Sequence, residues 1–155
     1  MFRTIISLIL ALVIAVVIGA FQILGLSLAD LQALLGSTDI TGDLMTYGGL
    51  MFGSLMTPYT MATSTPAIYS PLVALGVAGF VSGLISKSGV RMFFVSIISI
   101  VLFFLGFYIL TLAGDPSNLE AMYTILRSMI IDVGVAFGLL FIPGVIGASL
   151  TAEEY

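Results

Sequence analysis

The feature that most limits how this chain can fold is an uncharged apolar run from Ile5 to Leu26. Within it, Ser7 and Gln22 are the only polar side chains. A helix needs about 20 mostly apolar residues to cross the hydrocarbon core of a bilayer. Because backbone polar groups in lipid must find their hydrogen bonds within the protein, this run predicts a transmembrane helix.

Three further segments are long and apolar enough to span a membrane, namely 67–86, 92–113 and 125–150. The composition agrees, because 60% of the residues are apolar and only 8% are charged. A soluble domain carries about 25% charged residues. We therefore predict an all-α fold, a polytopic transmembrane helix bundle that forms a single integral membrane domain over residues 1–155.

Residues 44–62 are apolar enough to span, but they contain three glycines and end in a cluster of proline and hydroxyl residues. Positively charged residues collect on the cytoplasmic side of a membrane. With four spans and a cytoplasmic N-terminus, Arg3, Lys87 and Arg91 all lie on that side, whereas a fifth span at 44–62 separates them. We expect four spans in the cell (plasma) membrane, both termini in the cytoplasm, and a re-entrant or interfacial segment at 44–62. Five full spans are the alternative.

A short amphipathic helix is predicted after the first span. Ser27 is a typical helix N-cap residue, and Gly36 is a typical helix end. Between them, the leucines of Leu28–Leu35 fall on one face. This pattern is typical of a helix that lies along the membrane interface or on a partner.

Two G-x-x-x-G patterns occur in the predicted spans. Glycines four residues apart leave a stripe without side chains and let another helix approach closely. The predicted helix-packing residues are Gly79, Gly83, Gly134 and Gly138. The span 92–113 is instead rich in phenylalanine, which suits contact with lipid or with a partner helix.

Asp132 is a carboxylate inside a predicted span, where a charge is costly unless it is paired, hydrated or protonated. Two roles are open: a hydrogen bond to hydroxyls of a neighbouring helix or a contact with a partner subunit, and a proton or cation site. Arg127 lies near the end of the same segment, where its guanidinium can reach the head groups. We name Asp132 and Arg127 as a possible intramembrane polar site, although on one straight helix they point apart.

Hydroxyl side chains cluster between Thr57 and Ser70. Oxygen atoms at a broken helix bind polar ligands or ions in transporters, but loop hydroxyls also satisfy their own backbone. The residues of this possible polar-ligand region are Thr57, Tyr59, Thr60, Thr63, Ser64 and Thr65.

Several function classes are excluded by what the sequence lacks. It has no Cys and no His, which removes thiolate nucleophiles, imidazole haem ligands and the Ser-His-Asp triad. We expect no metal and no cofactor. The net charge of −4 offers no basic patch for nucleic acid, and no motif of a known catalytic mechanism occurs.

These observations favour a non-catalytic, accessory subunit of a larger integral membrane complex rather than an enzyme. Such a subunit would bind partner helices within the lipid bilayer through its small-residue stripes and aromatic faces. The alternative is a small membrane transporter or channel, assembled as a homo-oligomer, that uses Asp132 and the hydroxyl-rich break from Thr57 to Ser70.

Overall fold

Eight helices make up the part of the chain that the computed structural model describes, residues 2–111 and 119–152. No strand occurs in those residues, so the prediction of an all-α fold is confirmed. In chain order the helices are α1 (Phe2–Gln22), α2 (Leu28–Leu35), α3 (Ile40–Met56), α4 (Pro58–Thr63), α5 (Ser70–Ser86), α6 (Gly89–Thr111), α7 (Leu119–Ser128) and α8 (Ile130–Thr151). Three of them, α1, α6 and α8, are long and apolar enough to cross a membrane.

Helix α2 forms where the sequence predicts it, over Leu28–Leu35. The Ser27 hydroxyl accepts a hydrogen bond from the Asp30 amide at 3.2 Å, and the Asp30 carboxylate accepts one from the Ser27 amide at 2.8 Å. These reciprocal bonds form a capping box, and Gly36 is the C-cap. The prediction of this helix and of both its ends is confirmed.

Contacts near their ends fix the relative directions of α1, α5 and α6. Ser7, near the start of α1, donates a 2.6 Å hydrogen bond to the carbonyl oxygen of Ser82, near the end of α5. The hydroxyls of both serines lie 3.7 and 3.8 Å from the sulfur of Met92, near the start of α6. Helices α1 and α6 therefore run in one direction and α5 in the other.

Helix α8 runs parallel to α5. Gly79 lies against Leu140, and Gly83 lies against Gly144. Residue numbers thus increase together along the two helices, which form one of the closest interfaces of the bundle. Helix α5 also packs against α1, which presents a buried stripe of small residues: Ser7, Ala11, Ala15 and Gly19.

Gly48 of α3 faces Leu110 of α6, and Gly53 faces Phe107. Helix α3 is therefore antiparallel to α6, and so it runs in the same direction as α5. At its end, Leu55 and Met56 are fully buried in the same core cluster as Ala74 and Leu75, near the start of α5. The end of α3 and the start of α5 therefore lie at about the same depth. Residues 44–62, expected to be re-entrant or interfacial, form most of α3, which reaches only partway along the bundle, and most of α4.

Within residues 2–111, charged side chains of opposite sign lie at opposite ends of the bundle. Three basic side chains mark the end where α5 and α8 finish, here called the basic end: Arg3, Lys87 and Arg91. Three carboxylates mark the opposite, acidic end: Asp30, Asp39 and Asp43. This separation is what four spans with a cytoplasmic N-terminus require, and the number of spans and their orientation stay predictions.

The predicted span 125–150 is divided at Met129, which adopts a non-helical conformation with φ −99° and ψ 12°. Residues 119–128 form the separate, amphipathic helix α7. Backbone hydrogen bonds continue across this turn, from the Met129 amide to the Ile125 carbonyl at 3.1 Å and from the Val133 amide to the Met129 carbonyl at 2.8 Å. Asp132 falls in the first turn of α8, where the helix dipole stabilises a carboxylate. The division places Arg127 on α7 and Asp132 on α8.

Candidate functional site

Asp132 lies at the point where the chain breaks between α3 and α5. Its side chain is 5% exposed. One carboxylate oxygen, Oδ1, accepts a 2.9 Å hydrogen bond from the Thr60 amide, and Oδ2 accepts one of 2.6 Å from the Thr60 hydroxyl. Both partners are neutral donors on α4, so hydrogen bonds hold the carboxylate in the bundle without an ion pair.

The local sequence explains why Thr60 needs this partner. Pro58 occupies the first turn of α4, where its missing amide hydrogen costs nothing. The third residue of a helix has an amide without an intrahelical acceptor. Thr57 stands at the N-cap but provides no side-chain hydrogen bond to α4; its hydroxyl donates to the Gly53 carbonyl of α3 at 2.9 Å. The carboxylate on α8 takes the place of the missing cap.

The other residues of the predicted polar-ligand region bond mainly to their own segment. The Thr63 hydroxyl donates to the Tyr59 carbonyl at 2.9 Å, and the Ser64 hydroxyl donates to the carbonyls of Met61 and Pro66 at 2.7 and 2.8 Å. Tyr59 and Thr65 are exposed at the bundle surface. Thr60 is therefore the residue of this region that the structure brings to Asp132.

Arg127 does not share a site with Asp132. Its side chain is exposed in the last turn of α7, on the other side of the break at Met129. Asp132 is bonded to Thr60 instead. The two residues grouped from the sequence as one polar site thus lie in different environments.

The first glycine pair, Gly79 and Gly83, lies directly against the backbone of α8. A Cβ atom at Gly79 would overlap the carbonyl oxygen of Leu140 and lie 2.9 Å from its carbonyl carbon. A Cβ at Gly83 would overlap the carbonyl oxygen of Gly144 and lie 2.8 Å from its carbonyl carbon. At both positions glycine is needed because another backbone occupies the space of a side chain.

The second pair, Gly134 and Gly138, is uncovered by the residues that the structure describes. A Cβ at Gly134 would have no neighbour within 4 Å, and one at Gly138 would meet only Ile142 of its own helix, at 4.0 Å. Helix α8 uses Gly144 and Gly147 for its close contacts instead. A Cβ at Gly147 would overlap the carbonyl oxygen of Phe80 on α5.

Sequence reasoning missed several of these residues. Gly144 and Gly147 were not singled out as packing residues; they follow Pro143, and α8 continues through them to Thr151. The stripe of α1 could have been found from its spacing of four residues. The Thr60–Asp132 pair joins positions 72 residues apart, and no local pattern connects them.

Hydroxyl groups make further links inside the bundle. Besides the bond from Ser7 to the Ser82 carbonyl, the Thr151 hydroxyl donates to the Leu84 carbonyl at 2.8 Å. Two fully buried hydroxyls on α6, of Ser96 and Ser99, have no hydrogen-bond partner within the described part of the chain. Some hydroxyls of the interior therefore join two helices, as those of Ser7 and Thr151 do, whereas others bond within their own helix, as that of Ser82 does to the Gly79 carbonyl at 2.9 Å.

Three cavities lie at the acidic end, and none of these three includes Asp132 or Thr60. Among residues 2–111 and 119–152, no group of three His, Cys, Asp or Glu side chains could hold a metal ion. The buried carboxylate is thus a hydrogen-bonded junction between α4 and α8.

Comparison of the chain with protein-family models, with curated proteins and with solved structures finds no match.

Proposed function

We propose that this protein is a non-catalytic subunit of a larger integral membrane complex, and that the Gly134–Gly138 face of α8 receives a helix of another subunit. One contrast carries the proposal. Four glycines, Gly79, Gly83, Gly144 and Gly147, are closed off by contacts within the chain, whereas Gly134 and Gly138 are bare. In lipid, close backbone approach is a main source of helix association, so a bare glycine face on a long apolar helix suits a partner helix.

The proposal includes four crossings of the cell membrane. Helices α1, α6 and α8 each cross once, and α3 and α5 together cross once, because they run in the same direction and overlap in depth. The 17 residues of α5 extend about 25 Å, short of the roughly 30 Å hydrocarbon core, and α3 supplies the remainder. By the positive-inside rule the basic end faces the cytoplasm.

Native mass determination after purification in mild detergent tests the proposal. We expect the wild-type chain to be recovered with other membrane chains in fixed stoichiometry. Gly138→Leu should fold normally but lose those chains, because leucine fills the bare face. The matched control is Gly76→Leu on α5, where a Cβ also has no neighbour within 4 Å and where partner recovery should be unchanged. A chain recovered alone, or retention of partners in Gly138→Leu, contradicts the proposal.

One observation favours a second function, a small homo-oligomeric transporter or channel. The crossing shared by α3 and α5 is interrupted beside a buried carboxylate, and discontinuous helices surround the ion and substrate sites of many transporters. In this function Asp132 carries protons or cations, and native mass determination should give a homo-oligomer.

Two substitutions of Asp132 separate the two functions. Asp132→Asn keeps the acceptor for Thr60 but removes ionisation, whereas Asp132→Leu removes both. For a subunit, Asn should be tolerated in assembly and Leu should not. For a transporter, Asn should assemble normally yet abolish the proton or cation flux measured with a dye in reconstituted vesicles. Normal assembly and flux with Leu would contradict both.

A further inference from the structure

An apolar groove of about 380 Å³ opens at the acidic end, between α1, α2 and α3. Ala20 lines its α1 side, Leu34 its α2 side, and Leu44 and Met51 its α3 side. From Ile40 to Met51 the α3 wall extends about 16 Å at 1.5 Å per residue. Its volume falls in the range of about 300–1,000 Å³ typical of ligand sites. The groove therefore has the size and the lining of a site for a slender apolar molecule.

The mouth of this groove is acidic. A second cavity, of about 240 Å³, shares Leu26, Leu34 and Tyr47 with the groove and is also lined by Asp30 and Asp43. The side-chain and backbone hydrogen bonds from Ser27 hold the pKa of Asp30 below its usual value, so this carboxylate stays ionised. The chain from 27 to 56 contains no Lys or Arg to pair with either carboxylate.

We propose that the groove binds one acyl chain of a membrane lipid whose head group carries an ammonium, with the ammonium held by Asp30 and Asp43. The bilayer supplies acyl chains at this depth. An acyl chain that lies beside the leucines keeps the apolar wall of the groove out of contact with water, which is favourable. The two carboxylates attract the ammonium of a zwitterionic head group and repel a head group of net negative charge. Tyr47, which lines both cavities, stands where chain and head group join.

The volume of the groove argues against a partner helix as its occupant. A helix is at least about 10 Å across, so it could lie over the open side of the groove but is too wide to enter it. One extended hydrocarbon chain is thin enough to enter.

Native mass spectrometry of the purified protein tests the proposal directly. The protein is incubated with equal amounts of phosphatidylethanolamine and phosphatidylglycerol of identical acyl chains, and the lipid adducts are counted. We expect more ethanolamine-lipid adducts. Asp43→Asn should lower the ratio of the two adducts about fivefold, the effect of one interfacial charge. The control Glu120→Gln removes a carboxylate outside the groove and should leave the ratio unchanged.

A second pair of variants tests the chain site. Ala20→Phe fills the groove and should reduce the adducts of both lipids, whereas Val17→Phe, at a position 47% exposed on the same helix, should not. Thermal melting verifies that each variant folds, and Leu44→Trp fills the groove from α3 if Ala20→Phe does not fold. Equal adducts of the two lipids in the wild type overturn the head-group assignment. Undiminished adducts in the filled variants, or a polypeptide bound in place of lipid, overturn the site.

Discussion

The contact between Gly83 and α8 makes a single added methyl group a stringent test of the fold. In Gly83→Ala, the new Cβ overlaps the carbonyl oxygen of Gly144 and lies 2.8 Å from both its carbonyl carbon and its Cα. These atoms belong to backbone, so no side-chain rotation relieves the overlap. Helices α5 and α8 must separate or rotate, and the contacts of their whole interface weaken.

The loss of stability that we expect for Gly83→Ala follows from this geometry. Overpacking in a well-packed core costs about 1–3 kcal/mol of stability. Because the carbonyl oxygen, the carbonyl carbon and the Cα of Gly144 are all rigid backbone atoms, we expect a cost at the upper end of this range. A loss of about 3 kcal/mol lowers the equilibrium constant for folding about a hundredfold. Gly76→Ala provides the matched control on the same helix, because a Cβ there has no neighbour within 4 Å.

Reversible unfolding in mixed micelles of increasing dodecyl sulfate content measures both variants against the wild type. We expect Gly83→Ala to unfold at a clearly lower denaturant fraction, and Gly76→Ala to unfold with the wild type or at a slightly higher fraction, because alanine has the higher helix propensity. Equal stability of the two alanine variants would refute the close approach of α5 and α8.

Two further predictions concern the ends of the bundle. In intact cells, an impermeant maleimide should label Thr38→Cys at the acidic end and spare Ser88→Cys at the basic end, and the reverse labelling would overturn the proposed orientation; the chain has no cysteine of its own to interfere. The Asp30 carboxyl should titrate below 3.8 in a ¹³C NMR experiment, and Ser27→Ala should return its pKa toward that value. Because folding lowers this pKa, the capping box contributes its full stability above pH 3.8 and loses it as the pH falls through the lower, folded value; α2 should therefore fray in acid in the wild type.

Much of the fold follows from local sequence. The long uncharged runs specify α1 and α6, and Ser27 and Gly36 specify both ends of α2, because capping chemistry acts within a few residues. The division at Met129 was not predicted, because residues 125–150 are long and apolar enough for one continuous span. The partner of Asp132 was not predicted either, because Thr60 lies 72 residues away in sequence.

The sequence predicted that close helix contacts occur, but not which glycines make them within the chain. A G-x-x-x-G pattern states that a helix has a bare face, and both pairs have one. It does not state which face the chain itself covers, because that depends on how α5 is placed between α1 and α8. Among residues 2–111 and 119–152, other helices cover Gly79 and Gly83 but leave Gly134 and Gly138 open, although the two patterns are alike in sequence.

The junction of Thr60 and Asp132 could not be predicted from the sequence, because each residue depends on a partner that is distant in the chain. An unsatisfied amide at the start of α4 is costly away from water, and so is an unpaired carboxylate in the interior of a bundle. Each residue, considered alone, is unfavourable at its position and suggests a ligand site. Together the two offset each other, because the carboxylate accepts both the amide and the hydroxyl of Thr60. The break between α3 and α5 is thus stabilised by α8. A substitution that removes the carboxylate should first change the conformation of the segment that connects α3 to α5.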